Sequence, residues 1–162
     1  MIVAEIDERR VLRRRLLGVS LQCAPTHGAL HHGRDLMLVP SGTGSTRDFA
    51  LVEGMDNLAQ ALTVALTTPL TADVFNVDFG FDGLNAIAEE TVPIMVQERI
   101  RVAVITLLQK DPRVRRIVDV QLQDGRLTSP GANTRALDVK VAFETVTSET
   151  ATLDLGKVIP HG

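Results

Sequence analysis

The sequence predicts an α+β fold: a single domain with two core helices packed on a small, mostly antiparallel sheet. Two segments, 56–67 and 93–110, place apolar residues at helical period. Two later segments, 118–123 and 137–144, alternate apolar and polar residues as half-buried strands do. Helices followed by hairpin-like strands suit helices laid on one face of an antiparallel sheet.

The chain of 162 residues is long enough for one domain with a real core. Apolar residues make up 44% and charged residues 23%, as in ordinary globular proteins. Trp and Tyr are absent, so five Phe are the largest core pieces. A stacking platform for single-stranded nucleic acid or sugar has little to work with. The net charge of −3 argues against a general affinity for nucleic acid. Cys23 has no second cysteine to pair with. The start, MIVAEIDERRVLRRR, is charged where a secretory signal would be apolar. No apolar run approaches the roughly 20 residues of a membrane span. A soluble chain with no membrane partner is expected.

Residues 4–17 read as a short helix with an incomplete stripe (Val11, Leu12, Leu16) among five arginines between Arg9 and Arg15; Gly18 stops it. That arginine face suits an acidic protein partner better than phosphate. VSLQ, 19–22, reads as a brief strand, CAPTHGALHHG as a loop, and RDLMLV, 34–39, as one strand. PSGTGST, 40–46, reads as a flexible loop, and FALV, 49–52, as a strand or a helix lead-in. In the helix 56–67 the buried face is Leu58, Ala61, Leu62, Ala65 and Leu66. Asn57 with Gln60 fits a capping box, and Pro69 ends the helix. Residues 68–83 hold Phe75, Phe79 and Phe81 and are expected to pack down. A short helix fits 83–91. Pro93 opens the next helix, with Val96, Ile100, Ala103, Val104, Leu107 and Leu108 buried and Lys110 at its end. Asp124-Gly125 is a tight-turn signal, with a return strand from Arg126 to Thr128 and a loop over 129–134. Leu137, Val139, Val141 and Phe143 alternate with Asp138, Lys140, Ala142 and Glu144 in the cleanest strand. The parts are then an extension over 1–33, an α+β domain over 34–149 and a tail over 150–162, with no internal repeat.

Catalytic and metal signals are weak. Cys23, His27, His31 and His32 would align only on a helix, which Pro25 and Gly28 oppose, so no metal is expected. GTGST lacks the lysine of a phosphate-binding loop, and Ser41 and Ser45 have no elbow motif. Glu89, Glu90 and Glu98, with Asp73, Asp78 and Asp82, offer carboxylate pairs that a glycosidase would need. An acidic chain offers such pairs by chance, and aromatic walls for a sugar are missing. No cofactor is expected.

Three segments taken together resemble the baseplate wedge family of contractile phage tails, called sheath initiators in contractile injection systems and sometimes labelled tail lysozymes. DFALVEGMDNLAQALTVALTTPL, 48–70, is similar to the family's acidic lead, N-L-x-Q-A-L helix and L-x-T-x-P. TADVFNVDFG, 71–80, resembles G-E-x-x-x-x-P-x-[FY]-G. QERIRVAVITLLQK, 97–110, leads into DPRV where the family carries E-P-R-V. The likeness spans about 35–123. Leu70-Thr71-Ala72, Val77 and Asp111 depart from the pattern.

The resemblance implies a structural protein without enzymatic activity. Asp111, Pro112 and Arg113 would contact the helical bundle of the wedge proteins. A strand would pair with the first ring of sheath subunits, and 137–144, from Leu137 to Glu144, is the candidate. It also implies six copies per particle, contacts with tube or hub proteins, and assembly in the bacterial cytoplasm. Peptidoglycan cleavage is the alternative.

Overall fold

The computed structural model describes residues 2–25, 34–42, 46–83, 89, 92–124 and 137–158. Among them the class is α+β: three helices with small antiparallel sheets. The chain divides into two compact units, Met1–Ala61 and Leu62–Gly162.

Helix α1 (Ile2–Leu17) opens the first unit. It stops where expected: Gly18 takes φ +85°, and its N–H donates to Arg14 O at 3.0 Å. Leu17 is buried, whereas Val11, Leu12 and Leu16 are exposed, so the helix does not bury the stripe its sequence suggests. Polar ties hold its far end. Arg10 and Arg14 both reach Glu53, at 2.8 and 3.6 Å.

Six short strands follow. β1 (Val19–Leu21) pairs with β6 (Leu51–Glu53), β2 (Cys23–Pro25) with β3 (Arg34–Leu36), and β4 (Leu38–Pro40) with β5 (Arg47–Phe49), all antiparallel. One residue separates each ribbon from the next along the chain: Gln22, Met37 and Ala50. Their backbones close a ring. Gln22 N–H donates to Ala50 O (2.8 Å), Ala50 N–H to Met37 O (2.9 Å), and Met37 N–H to Gln22 O (2.9 Å). Three ribbons therefore radiate from one junction, and each junction residue satisfies its neighbours' backbone groups where the ladders stop.

This junction corrects four expectations. RDLMLV is two strands broken at Met37, and the CAPTHGALHHG loop begins as β2. Pro40 belongs to β4, and the hairpin beyond it closes by Ser41 N–H to Thr46 O at 2.9 Å. A repeat is present after all: RDLMLV (34–39) and RDFALV (47–52) occupy equivalent positions around the junction. In each, the Asp carboxylate accepts the next N–H, Leu36 at 2.8 Å and Phe49 at 2.7 Å.

Helix α2 (Gly54–Thr67) starts at Gly54, φ +66°, whose N–H donates to Gly18 O at 3.0 Å. Asn57 is not its cap. It lies one turn inside, buried, donating to Leu17 O (2.8 Å) and accepting from Ser20 Oγ (2.5 Å). Gln60 binds the β1–β2 backbone instead of the helix start, through Leu21 O (2.9 Å) and Cys23 N–H (2.8 Å). The capping-box spacing thus serves the α1–β1 corner. Leu58, Leu62 and Leu66 are buried as expected.

In the second unit the segment after α2 folds back on itself. Phe81 N–H donates to Thr68 O (2.8 Å), and Leu70 N–H to Phe81 O (3.1 Å). Gly80 makes this closure possible. It has φ +116°, and a Cβ there would meet the Thr68 and Pro69 carbonyls at 2.7 Å. The loop's aromatics separate: Phe81 is buried, but Phe75 is 98% exposed, beside exposed Val74 and Val77. The expectation that this loop packs all its Phe down is wrong for Phe75. The phenyl sits at a tip whose backbone turns around Asp73, with Phe75 N–H on Asp73 Oδ1 at 2.9 Å.

Helix α3 (Pro93–Lys110) has Pro in its first turn and buries Ile100, Val104, Leu107 and Leu108. Lys110 Nζ donates to Asp78 O at 3.3 Å. β7 (Val114–Asp124), β8 (Leu137–Thr145) and β9 (Thr150–Val158) form an antiparallel sheet in that order. The residues from Thr150 to Val158, read as a tail, are thus its third strand. The return strand at 126–128, the loop at 129–134 and most of the 83–91 helix lie outside the described residues.

Candidate functional site

The corner where α3 passes into β7 is built by Asp111, Pro112 and Arg113. Asp111 accepts three hydrogen bonds from Arg113: backbone N–H to Oδ1 (2.9 Å), Nε to Oδ1 (2.9 Å) and Nη2 to Oδ2 (2.6 Å). The two side chains are only 24% (Arg113) and 15% (Asp111) exposed. Burial alone would raise the Asp111 carboxyl. The hydrogen bonds and charge of Arg113 outweigh it and hold the group below its ordinary value.

Backbone bonds fix the corner on both sides. Asp111 N–H caps the helix at Leu108 O (3.2 Å), Asp111 O accepts Val114 N–H (3.0 Å), and Arg113 O accepts Val146 N–H (3.0 Å). Asp111 thus orients the guanidinium of Arg113. Pro112 stays exposed at the apex.

Beside this corner runs a groove of about 740 Å³ between α3 and β7. Its cations are Arg101, Arg115 and Arg116, and its apolar floor includes Ile105 and Ile117. Arg116 pairs with Glu144 at 3.1 Å, and Arg115 reaches the same carboxylate at 3.5 Å. Arg101 pairs with Glu98 at 2.8 Å, yet its Nε is buried with no hydrogen-bond partner. Register shifts at Val114/Arg116 and Ile117/Asp119 bend β7 along this groove.

The strand expected to offer its edge does not have one. β8, with Leu137, Asp138, Val139, Lys140, Val141, Ala142, Phe143 and Glu144, is central and pairs with β7 on one side and β9 on the other. Its alternation is real: Val139, Val141 and Phe143 are buried. A foreign strand could reach it only by displacing a neighbour. The sheet's outer strands among the described residues are β7 and β9.

A second groove, about 460 Å³, is lined by Asp82 and Glu98 together with Arg99 and Lys110. Glu89 pairs with Arg99 at 3.3 Å. The structure thus brings two of the sequence's candidate carboxylates to one groove and turns a third onto an arginine. His27, His31 and His32 lie outside the described residues. Among the described residues no three His, Cys, Asp or Glu side chains group as a metal site, and no helix is long and apolar enough to cross a membrane. Sequence reasoning missed the three-ribbon junction, for which the repeat RDLMLV/RDFALV was the available signal.

No family model and no curated protein matches the chain. Among solved structures, the chain is similar to one from Geobacter sulfurreducens described as a "putative tail lysozyme". That likeness has 14% identity and a TM-score of 0.46, and it covers 66% of this chain and 91% of that one.

Proposed function

We propose that the protein is a structural component of the baseplate of a contractile tail or injection machine. It docks a helical bundle of wedge proteins at Asp111, Pro112 and Arg113 and along the adjoining α3–β7 groove. The observation that carries this reading is the corner itself. The sequence motif that resembles the family's E-P-R-V stands where a helix turns into a strand, clamped by Asp111–Arg113 and open at Pro112. A rigid corner can present a fixed shape without ordering cost on binding. The cations of the groove suit a bundle with acidic positions.

Attachment of the first sheath ring uses main-chain pairing at an outer strand. With β8 enclosed, β9 is the strand for this role. It is nine residues long, lies toward the C-terminal end and exposes Thr150, Thr152 and Asp154. Six copies would follow the symmetry of the particle, with tube or hub proteins as further neighbours. The protein would make and break no covalent bonds.

Co-purification with wedge and sheath proteins tests the reading. Pro112→Glu combined with Arg115→Glu should abolish wedge recovery while thermal melting stays unchanged; full recovery would defeat it. The alternative, peptidoglycan cleavage, is favoured by Asp82 and Glu98 sharing one groove. It predicts that the chain clears a cell-wall suspension and that Glu98→Gln stops the clearing.

A further inference from the structure

We propose that the three-ribbon junction of the first unit is a docking face for an acidic amphipathic helix of a partner protein. This does not depend on the baseplate reading.

The face follows from register. Leu21 stands opposite Leu51, Cys23 opposite Leu36, and Leu38 opposite Phe49. Opposed residues of an antiparallel pair share a face. Residues on either side of a junction position, 21 and 23, 36 and 38, 49 and 51, share one as well by alternation. Six side chains therefore ring the junction on one side. Five of them, Leu21, Leu36, Leu38, Phe49 and Leu51, are 40–62% exposed. On the other side Ser20 bonds to Asn57 of α2, and Ala50 is buried. Contiguous apolar surface of this kind marks interaction sites.

Charge selects the occupant. Next outward on the same face come Arg34 and the pairs Pro40–Arg47 and Val19–Glu53. Arg34 and Arg47 are exposed, and Glu53 carries Arg10 and Arg14 of α1. Two of the three arms thus end in an exposed arginine beside an apolar centre, and the third ends in Glu53 paired with Arg10 and Arg14. A helix with an apolar ridge flanked by Asp and Glu matches both features, since guanidinium forks take carboxylates in pairs. A second copy matches less well, because an isologous contact would bring Arg34 and Arg47 of one copy toward the same arginines of the other. Nucleic acid would find one aromatic, Phe49, to stack on.

The test uses the full chain and two labelled helical peptides of about five turns. Both carry Leu at i, i+3, i+4 and i+7; one has Glu flanks and the other Lys. Fluorescence anisotropy at physiological salt should show the Glu peptide binding saturably, about tenfold tighter than the Lys peptide. Leu51→Asp should weaken it at least tenfold. Arg34→Glu with Arg47→Glu should reverse the preference between the peptides. Bound Glu peptide should also slow alkylation of Cys23 by iodoacetamide. If Leu51→Asp does not melt cooperatively, the exposed arginine pair still decides the matter. Equal binding of the two peptides, no saturable binding, or indifference to the arginine reversal would overturn the proposal. So would a concentration-dependent dimer abolished by Leu51→Asp, or binding of phosphatidylserine vesicles in preference to the peptide.

Discussion

The corner at Asp111 makes a quantitative prediction. Arg113→Ala removes two of the three bonds that Asp111 accepts, those from Nε and Nη2, and leaves the backbone N–H bond at 2.9 Å. Hydrogen bonds to charged groups contribute about 1.5–3 kcal/mol net, and partial exposure moves the pair toward the lower end. The loss should be about 2 kcal/mol. Asp111→Ala removes all three bonds, so its loss should be larger, about 3 kcal/mol. The double variant lacks the same three bonds and should also lose about 3, not about 5. The coupling energy is then about 2 kcal/mol. Urea unfolding of the four proteins at neutral pH, followed by far-ultraviolet ellipticity, measures it. In thermal melts the Arg113→Ala step corresponds to about 6 °C for a chain of this size. A coupling below about 0.5 kcal/mol would refute the reasoning, because the pair would then be a surface contact with no part in holding the corner.

Other outcomes follow from the same structure. Because Asp111 is held below its ordinary carboxyl value, the folded state binds that proton less readily than the unfolded chain. Its stabilisation is complete above the unfolded value and fades as pH falls through the lower folded one; the stability gap to Asp111→Asn should shrink below about pH 4. Gly80→Ala should lose about 2–3 kcal/mol in a urea titration, since φ +116° and two carbonyls at 2.7 Å leave no room for a methyl group. Phe81→Ala should lose about 3–5 kcal/mol, and Phe75→Ala should stay within about 0.5 kcal/mol, because one ring is buried and the other almost wholly exposed. Asn57→Ala should lose about 1–3 kcal/mol, because the buried amide both donates to Leu17 O and accepts from Ser20 Oγ.

The helices and the strands β7 and β8 were legible because their signals are local. Leu58, Leu62 and Leu66 recur at helical spacing, and so do Ile100, Val104, Leu107 and Leu108; all are buried. The first unit was far less legible. Its strands are three residues each, too short for period-two alternation to stand out, and their apolar residues face outward. What joins them is a ring of backbone bonds among Gln22, Met37 and Ala50. Backbone bonds are indifferent to side-chain identity, so those three residues share no chemistry that a reader could match. Asn57 misled for a related reason. Asn with Gln three residues on satisfies donors at a helix start, but the same groups equally satisfy Leu17 O and the backbone of β1 and β2.

β8 shows the limit of alternation as a signal. Val139, Val141 and Phe143 report that one face of the strand is buried. Hydrogen bonds run at right angles to that axis, in the plane of the sheet. No side-chain pattern in β8 says whether that plane continues on one side or both, and the answer came from Thr150–Val158, whose own pattern is weak. This bears directly on assembly. A central strand gives the sheet its core, and an outer strand gives it an attachment point, so the residues that best advertise a strand are the ones least able to add another. Selection for pairing would instead keep β9 short in apolar residues on its open side. Thr150, Thr152 and Asp154 are exposed and polar, and the Lys140–Asp154 pair at 3.6 Å ties the strand to its neighbour. Polar side chains of this kind on an outer strand resist promiscuous pairing of free chains.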